Sequence, residues 1–139
     1  MATDLTPYLH FRGDARTAME RYRSVFGGEL TVSSFADFGA NDVPESERDW
    51  VMHAQLTTPG GLTLMAADTP SHMEFSRGTD VSISLSGDDE IELTRFWDGL
   101  ADGATIDQPL VKAPWGDTFG MLHDRFGVSW MVNITGAAA

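Results

Sequence analysis

The chain has 139 residues, 42% of them apolar and eight of them Phe, which is enough to bury a core and argues against disorder. It has no Cys, which excludes disulfides, thiolate metal sites and a cysteine nucleophile. The formal net charge of −12 argues against binding a nucleic-acid backbone, and no run approaches the ~18 apolar residues of a membrane span.

In chain order, "TPYLHF" alternates, with Leu9 and Phe11 on one side and Tyr8 and His10 on the other, which predicts a strand. Gly13 permits a turn and Asp14 is a good helix N-cap. Met19, Tyr22 and Phe26 then fall at i, i+3 and i+7, one helical face, and "FGG" stops the helix. "ELTVSSF" reads as a second strand. The polar stretch Ala36–Asp49 is long for a hairpin connection and reads as a lid, an interface arm or a disordered loop. "WVMHAQLTT" and "LTLMAAD" form two more strands around Pro59-Gly60-Gly61. "TPSHMEFSRGT" (69–79) reads as a linker.

The same order then returns. "DVSISLS" is a strand, Gly87-Asp88 a turn and cap, and Leu93, Phe96, Trp97 and Leu100 an i, i+3, i+4, i+7 face. "ATIDQPL", "DTFGMLHD" and "GVSWMVNI" supply three short strands, and the terminal "GAAA" (136–139) is expected to fray. The leading parts align without a gap, Leu9 with Ile83, Asp14 with Asp88 and Tyr22 with Phe96. The closing hairpins align Leu64 with Trp130 and Met65 with Met131. The expected chain is a single domain of two repeats, 4–68 and 80–135, joined by 69–79.

"PYLHFRGDARTAMERYRSVFGGE", "MHAQL", "LMAAD", "DGATIDQPLVKAPWGDTFG" and "DRFGVSWMVN" together resemble the PhnB-like branch of the vicinal oxygen chelate superfamily, over Thr6 to Ile134. That superfamily includes glyoxalase I, extradiol dioxygenases, and fosfomycin and bleomycin resistance proteins. The branch often carries the label 3-demethylubiquinone-9 3-methyltransferase-like. The resemblance implies an α+β fold in which two βαβββ modules form curved mixed sheets around a cleft, and a homodimer. It also implies four metal-ligand places, typically His or Gln and then Glu. They fall here at Thr6 or Pro7, at Met65, near Asp80 and at Met131. Two thioethers stand where carboxylates are expected and are poor ligands for a hard or borderline divalent cation. The usual metal site is therefore expected to be lost, with no metal and no other cofactor in its place.

By alternation, the face away from the helices carries Tyr8, His10, His53, Gln55, Met65, Ser84, Phe119, Met121 and Met131. His10 and His53 could line a ligand pocket, hold a replacement metal with Gln55, or be plain exposed strand residues. Trp115, between Pro114 and Gly116, could stack on a flat or cationic ligand, or cover a core edge or an interface. The Met and aromatic positions could be core instead; lining a cleft, they would suit an irregular apolar ligand. His72 and His123 are expected at the surface.

Arg12-Gly13-Asp14 and Asn133-Ile134-Thr135 match an adhesion tripeptide and a glycosylation sequon by spelling only. No P-loop, dinucleotide glycine motif, GxSxG elbow or HExxH occurs, and no glycine-rich loop in an alternating α/β pattern supports a methyltransferase. The weakly apolar start "MATDLTPY" lacks a signal-peptide pattern, so a cytoplasmic location is expected, with neither nucleic acid nor membrane as partner. The leading expectation is a protein that binds an unknown small organic molecule without metal. The first alternative is a lyase, isomerase or dioxygenase with an atypical metal site, or with His53 or His10 as catalytic base. The second is a structural dimer with a vestigial cleft.

Overall fold

A computed structural model describes residues 3–39 and 42–136. The chain divides after Ser76 into two compact units. The first unit runs β1 (Tyr8–Phe11), α1 (Ala15–Phe26), β2 (Glu29–Ser34), β3 (Val51–Thr57) and β4 (Thr63–Asp68). The second runs β5 (Ile83–Gly87), α2 (Glu90–Ala101), β6 (Thr105–Lys112), β7 (Thr118–His123) and β8 (Ser129–Ile134). Each unit holds one four-stranded mixed sheet, ordered β1-β4-β3-β2 and β5-β8-β7-β6. Among the described residues, only β1–β4 and β5–β8 pair in parallel. This is the α+β fold of two βαβββ modules expected from the repeated pattern.

The core of each unit follows from strand alternation meeting a helical stripe. In the first, α1 packs across β2, β3 and β4. It buries Ala15, Ala18, Met19 and Tyr22 against Phe11, Ala54, Leu56 and Ala66, all 0–1% exposed. The small residues Ala54 and Ala66 are register partners, and they let the larger helical side chains sit close. In the second, Leu93, Phe96, Trp97 and Leu100 are buried, as are Leu122, Trp130 and Val132. Trp97 needs room: a Cβ on Gly120 would lie 2.7 Å from its Cη2 and 3.0 Å from Leu110 Cα. Full burial of each large apolar side chain contributes about 1.5–3 kcal/mol, so these two clusters hold the sheets and fix their outward faces.

Three expectations change. Asp14 stands at the N-cap of α1, but its side chain makes no cap bond. The cap comes from Asp68 at the end of β4, whose Oδ1 accepts from Gly13 N at 2.8 Å and Ala15 N at 3.0 Å. In the second unit the cap is Asp89 rather than Asp88, accepting from Glu92 N at 3.0 Å. The strand register also departs from the gapless sequence alignment. Tyr8 pairs with Met65 and Ser84 with Met131, so Tyr8 corresponds to Ser84 and Leu9 to Leu85, not to Ile83. The first unit has one more residue between strand and cap, Arg12-Gly13 against Asp88 alone, and alternation does not reveal the shift because moving two residues along a strand keeps each side chain on its face.

The described part of the 36–49 loop is fastened. Phe35 N donates to Trp50 O, Ala36 N donates to Arg48 O, and short 3₁₀ turns occupy Ala36–Phe38 and Glu45–Glu47. The buried Glu47 carboxylate accepts from Ser71 N at 2.9 Å and Ser71 Oγ at 2.5 Å, tying the loop to the segment after β4. Gly136 is held by Asp117 Oδ1 at 3.0 Å, so the expected fraying does not begin there; residues 137–139 lie outside the described ones.

Candidate functional site

The face of the first sheet away from α1 collects five of the expected site residues. Phe11 and Ala54 point into the core, so alternation turns Tyr8 and His10 on β1, and His53 and Gln55 on β3, the other way. Met65 on β4 lies between Tyr8 and Gln55 as register partner of both. Tyr8 is 43% exposed, and His53, Gln55 and Met65 are half-buried. This face is therefore open, yet its side chains are already positioned by one another.

The aromatic groups form one cluster. Tyr8 and His10 stack, with ring centroids 5.4 Å apart and an interplanar angle of 24°. Tyr8 and His53 rings are tilted at 51° with centroids 5.7 Å apart, and the Tyr8 hydroxyl lies 3.1 Å from His53 Nδ1. When the hydroxyl donates to an unprotonated Nδ1, His53 Nε2 carries the hydrogen and can donate to a ligand. In the other tautomer Nδ1 donates to the hydroxyl and Nε2 can accept. Gln55 Nε2 donates to Thr57 Oγ1 at 3.3 Å, which leaves its carbonyl oxygen as an acceptor. A flat surface, a switchable imidazole, an amide acceptor and a thioether thus share one sheet face.

The second sheet presents a different set. Phe119, Met121 and Met131 are half-buried on the face away from α2, and Ser84 is exposed beside Met131. Trp115 is 73% exposed, in a turn closed by Gly116 N donating to Ala113 O at 3.0 Å and Ala113 N donating to Asp117 O at 2.6 Å. It covers no core edge within its unit. His72 is exposed as expected. His123 is exposed too, but it has a partner that the sequence reading missed: Asp107 Oδ2 lies 2.6 Å from its Nδ1. Tyr8 as partner of His53 was likewise missed. Both pairs join residues on different strands, and only a fixed register could have revealed them.

The superfamily's usual divalent metal does not fit the residues present. Met65 N donates to Pro7 O at 3.0 Å, so the first-strand and fourth-strand places do adjoin in the first unit. In the second unit the strand register moves the first-strand place from Asp80 to Ser82, whose Oγ lies 2.6 Å from Ser129 Oγ. The four places then offer Thr6 or Pro7, Ser82, and the thioethers of Met65 and Met131, with no carboxylate and no imidazole. Among the described residues, no three of His, Asp and Glu gather into a metal-holding group.

Comparisons with known proteins agree with this architecture. The model of the family described as 3-demethylubiquinone-9 3-methyltransferase matches residues 3–133. The crystal structure of protein PA1353 from Pseudomonas aeruginosa is 36% identical, with a TM-score of 0.81, covering 96% of this chain and 98% of that one. The PhnB protein from Bacillus cereus is 26% identical with a TM-score of 0.75, over 96% and 100% of the two chains. A glyoxylase/bleomycin resistance protein/dioxygenase domain from Frankia sp. EAN1pec, 17% identical over 99% of each chain with a TM-score of 0.65, shares the fold. No helix among the described residues is long and apolar enough to cross a membrane.

Proposed function

The chain belongs to the PhnB-like, 3-demethylubiquinone-9 3-methyltransferase family of the glyoxalase/bleomycin-resistance fold, and from that premise we propose that it binds a small, flat organic molecule without the superfamily's divalent metal. The observation that carries this reading is the Tyr8–His10–His53 cluster beside Met65. A superfamily metal site would place an ionic centre at the Met65 position. Here the same position offers a soft, polarisable group next to a preassembled aromatic platform.

Each group has a task in such binding. The stacked Tyr8 and His10 rings give a π surface whose geometry is set before the ligand arrives. His53 Nε2 supplies one directional hydrogen bond, as donor or acceptor according to tautomer, and Gln55 supplies an acceptor. Met65 adapts to irregular apolar contour. The net charge of −12 raises the local concentration of a cationic ligand. The methyltransferase description draws no support from the fold, which among the described residues has two βαβββ sheets and no doubly wound nucleotide-binding sheet.

A second reading rests on the Tyr8–His53 bond. It orients an imidazole on an open face, which is the requirement for a metal-free proton transfer. One experiment addresses both. Thermal unfolding is followed with acridine and ethidium dyes and with neutral aromatic analogues, for the wild type, Tyr8→Phe, His53→Ala and Met65→Lys. Binding to the native state must raise its midpoint. Stabilisation that is lost in Met65→Lys and weakened in Tyr8→Phe and His53→Ala supports the binding reading. No stabilisation by any compound, or stabilisation indifferent to all three substitutions, rejects it. Binding that survives in His53→Ala while the bound compound's proton exchange slows favours the acid–base reading.

A further inference from the structure

We propose that the second sheet carries a site for a soft monovalent cation, Cu(I) or its stable analogue Ag(I), built from Met121, Met131 and His123 and positioned by Asp107. The inference is independent of the ligand face on the first sheet, because none of these residues belongs to that unit.

The donors share one face. Leu122 is fully buried, and Gly120 is packed against Trp97, so β7 turns Met121 and His123 away from α2. On β8, Trp130 and Val132 are buried, which turns Met131 the same way. Met121 and Met131 are direct register partners, and His123 pairs with Ser129, one step along the face. Directly opposed side chains on an antiparallel pair have Cβ atoms about 4.5–5.5 Å apart, and diagonal neighbours about 7–8 Å apart. Two thioethers with three rotatable bonds each can therefore close on an ion together with the imidazole. Thioether donors select Cu(I) over hard divalent ions.

Asp107 is a separate observation that points to a ligating histidine. The β6–β7 register shifts between Ile106 and Gln108, which makes Asp107 the extra residue of a bulge. Bulges re-aim side chains. This one brings the carboxylate to 2.6 Å from His123 Nδ1. The carboxylate can only accept, so the hydrogen sits on Nδ1, and in the neutral ring the Nε2 lone pair is the one available to an ion. A carboxylate behind the far ring nitrogen is the support that metal-bound histidines characteristically have. The equivalent positions of the first unit, read through the Met65–Met131 pairing, are Gln55 and Thr57, so the donor set is peculiar to the second sheet.

The test uses the full chain labelled with 13C at the methionine methyls and 15N in histidine, titrated with Ag(I) nitrate and, under ascorbate, with Cu(I) in competition with bicinchoninate. The expected result is one tight ion per chain, with the Met121 and Met131 methyls and His123 Nε2 shifting together. Met121→Leu/Met131→Leu should abolish tight binding, and Asp107→Asn should weaken it ~10- to 100-fold. The wild-type titration stands without any variant, so a poorly folding substitution does not blur it. Shifts confined to the exposed Met52 and Met73 or to Met65, or affinity unchanged in the double variant, would overturn the proposal.

Discussion

Asp68 Oδ1 stands 3.0 Å from the Ala15 amide and so caps a helix 53 residues earlier in the chain. Its other oxygen accepts from Val51 N at 2.9 Å, and the carboxylate is only 4% exposed. One side chain thus joins the end of β4 to the start of α1 and the start of β3, the strand that carries His53. Asp68→Ala strands three backbone donors, two of them in buried bonds, and is expected to cost about 2–4 kcal/mol. Asp14→Ala, at the sequence-local cap that makes no bond, should stay within about 0.5 kcal/mol. Urea unfolding of the two variants checks the contrast; equal losses would mean that the cap is local after all.

Gly120 sets how closely β7 approaches α2. Its backbone makes room for the Trp97 ring and the Leu110 backbone at once, so a methyl group has no direction in which to yield. Gly120→Ala is expected to destabilise by about 1–3 kcal/mol through overpacking. Gly28, at φ 101°, is more constrained still, since a Cβ there would sit 2.2 Å from Thr57 O, a backbone atom that cannot swing away. Gly28→Ala should therefore lower the unfolding midpoint, relative to wild type, by more than Gly120→Ala does. The reverse order, measured by urea unfolding followed by tryptophan fluorescence, would contradict the packing account.

Alternation along short strands was enough to place Tyr8, His10, His53, Gln55 and Met65 on one face, because a period of two leaves each residue only two directions. The helix stripes and the repeat were legible for the same reason. What stayed hidden depends on register between strands. The shift from Ile83 to Leu85 as counterpart of Leu9 changes no hydrophobic pattern, since both positions are apolar. The Asp107–His123 pair requires a bulge; Pro109 in "TIDQPLVK" marks an edge strand or a bulge but does not say that Asp107 is the extra residue. Asp68 reads as the last residue of a strand, and nothing in its neighbours shows that its partners are Gly13, Ala15 and Val51. Glu47 was part of a polar loop, and only the fold brings Ser71 to it.

Acid should loosen the chain through three named carboxylates. Two hydrogen bonds from Ser71 hold Glu47 below its ordinary value of 4.5. Bonds from the Ser34 backbone and side chain hold Asp37 below 3.8, and those from Gly136 N and Asn133 hold Asp117 below 3.8. A depressed folded pKa means that the unfolded chain takes up protons first. The stabilisation is therefore complete above the unfolded values and is lost as the pH falls through the folded ones. Stability should be flat from neutral pH down to about 5 and then fall. Glu47→Gln should be less stable at neutral pH and show a shallower decline. A decline as steep as the wild type's would assign the acid sensitivity to other groups.

The thioethers at positions 65 and 131 make a further prediction about hard and borderline cations. Zn(II), Ni(II), Mn(II) and Fe(II) bind imidazole and carboxylate oxygen, and the register leaves Thr6 or Pro7, Ser82 and two Met at the places where the superfamily holds such ions. Protein incubated with each ion in turn and desalted should retain none at one per chain, as read by mass spectrometry. Binding by His10 and His53 together would reverse this. Tyr8 is stacked on one and hydrogen-bonded to the other, so an ion bound through Nδ1 of His53 would have to displace the phenol. That gives the experiment a specific control. Stoichiometric metal that persists in Met65→Leu but disappears in His53→Ala would show a divalent site on the first sheet that uses His53. Tyr8→Phe should then raise its affinity by freeing Nδ1 of His53.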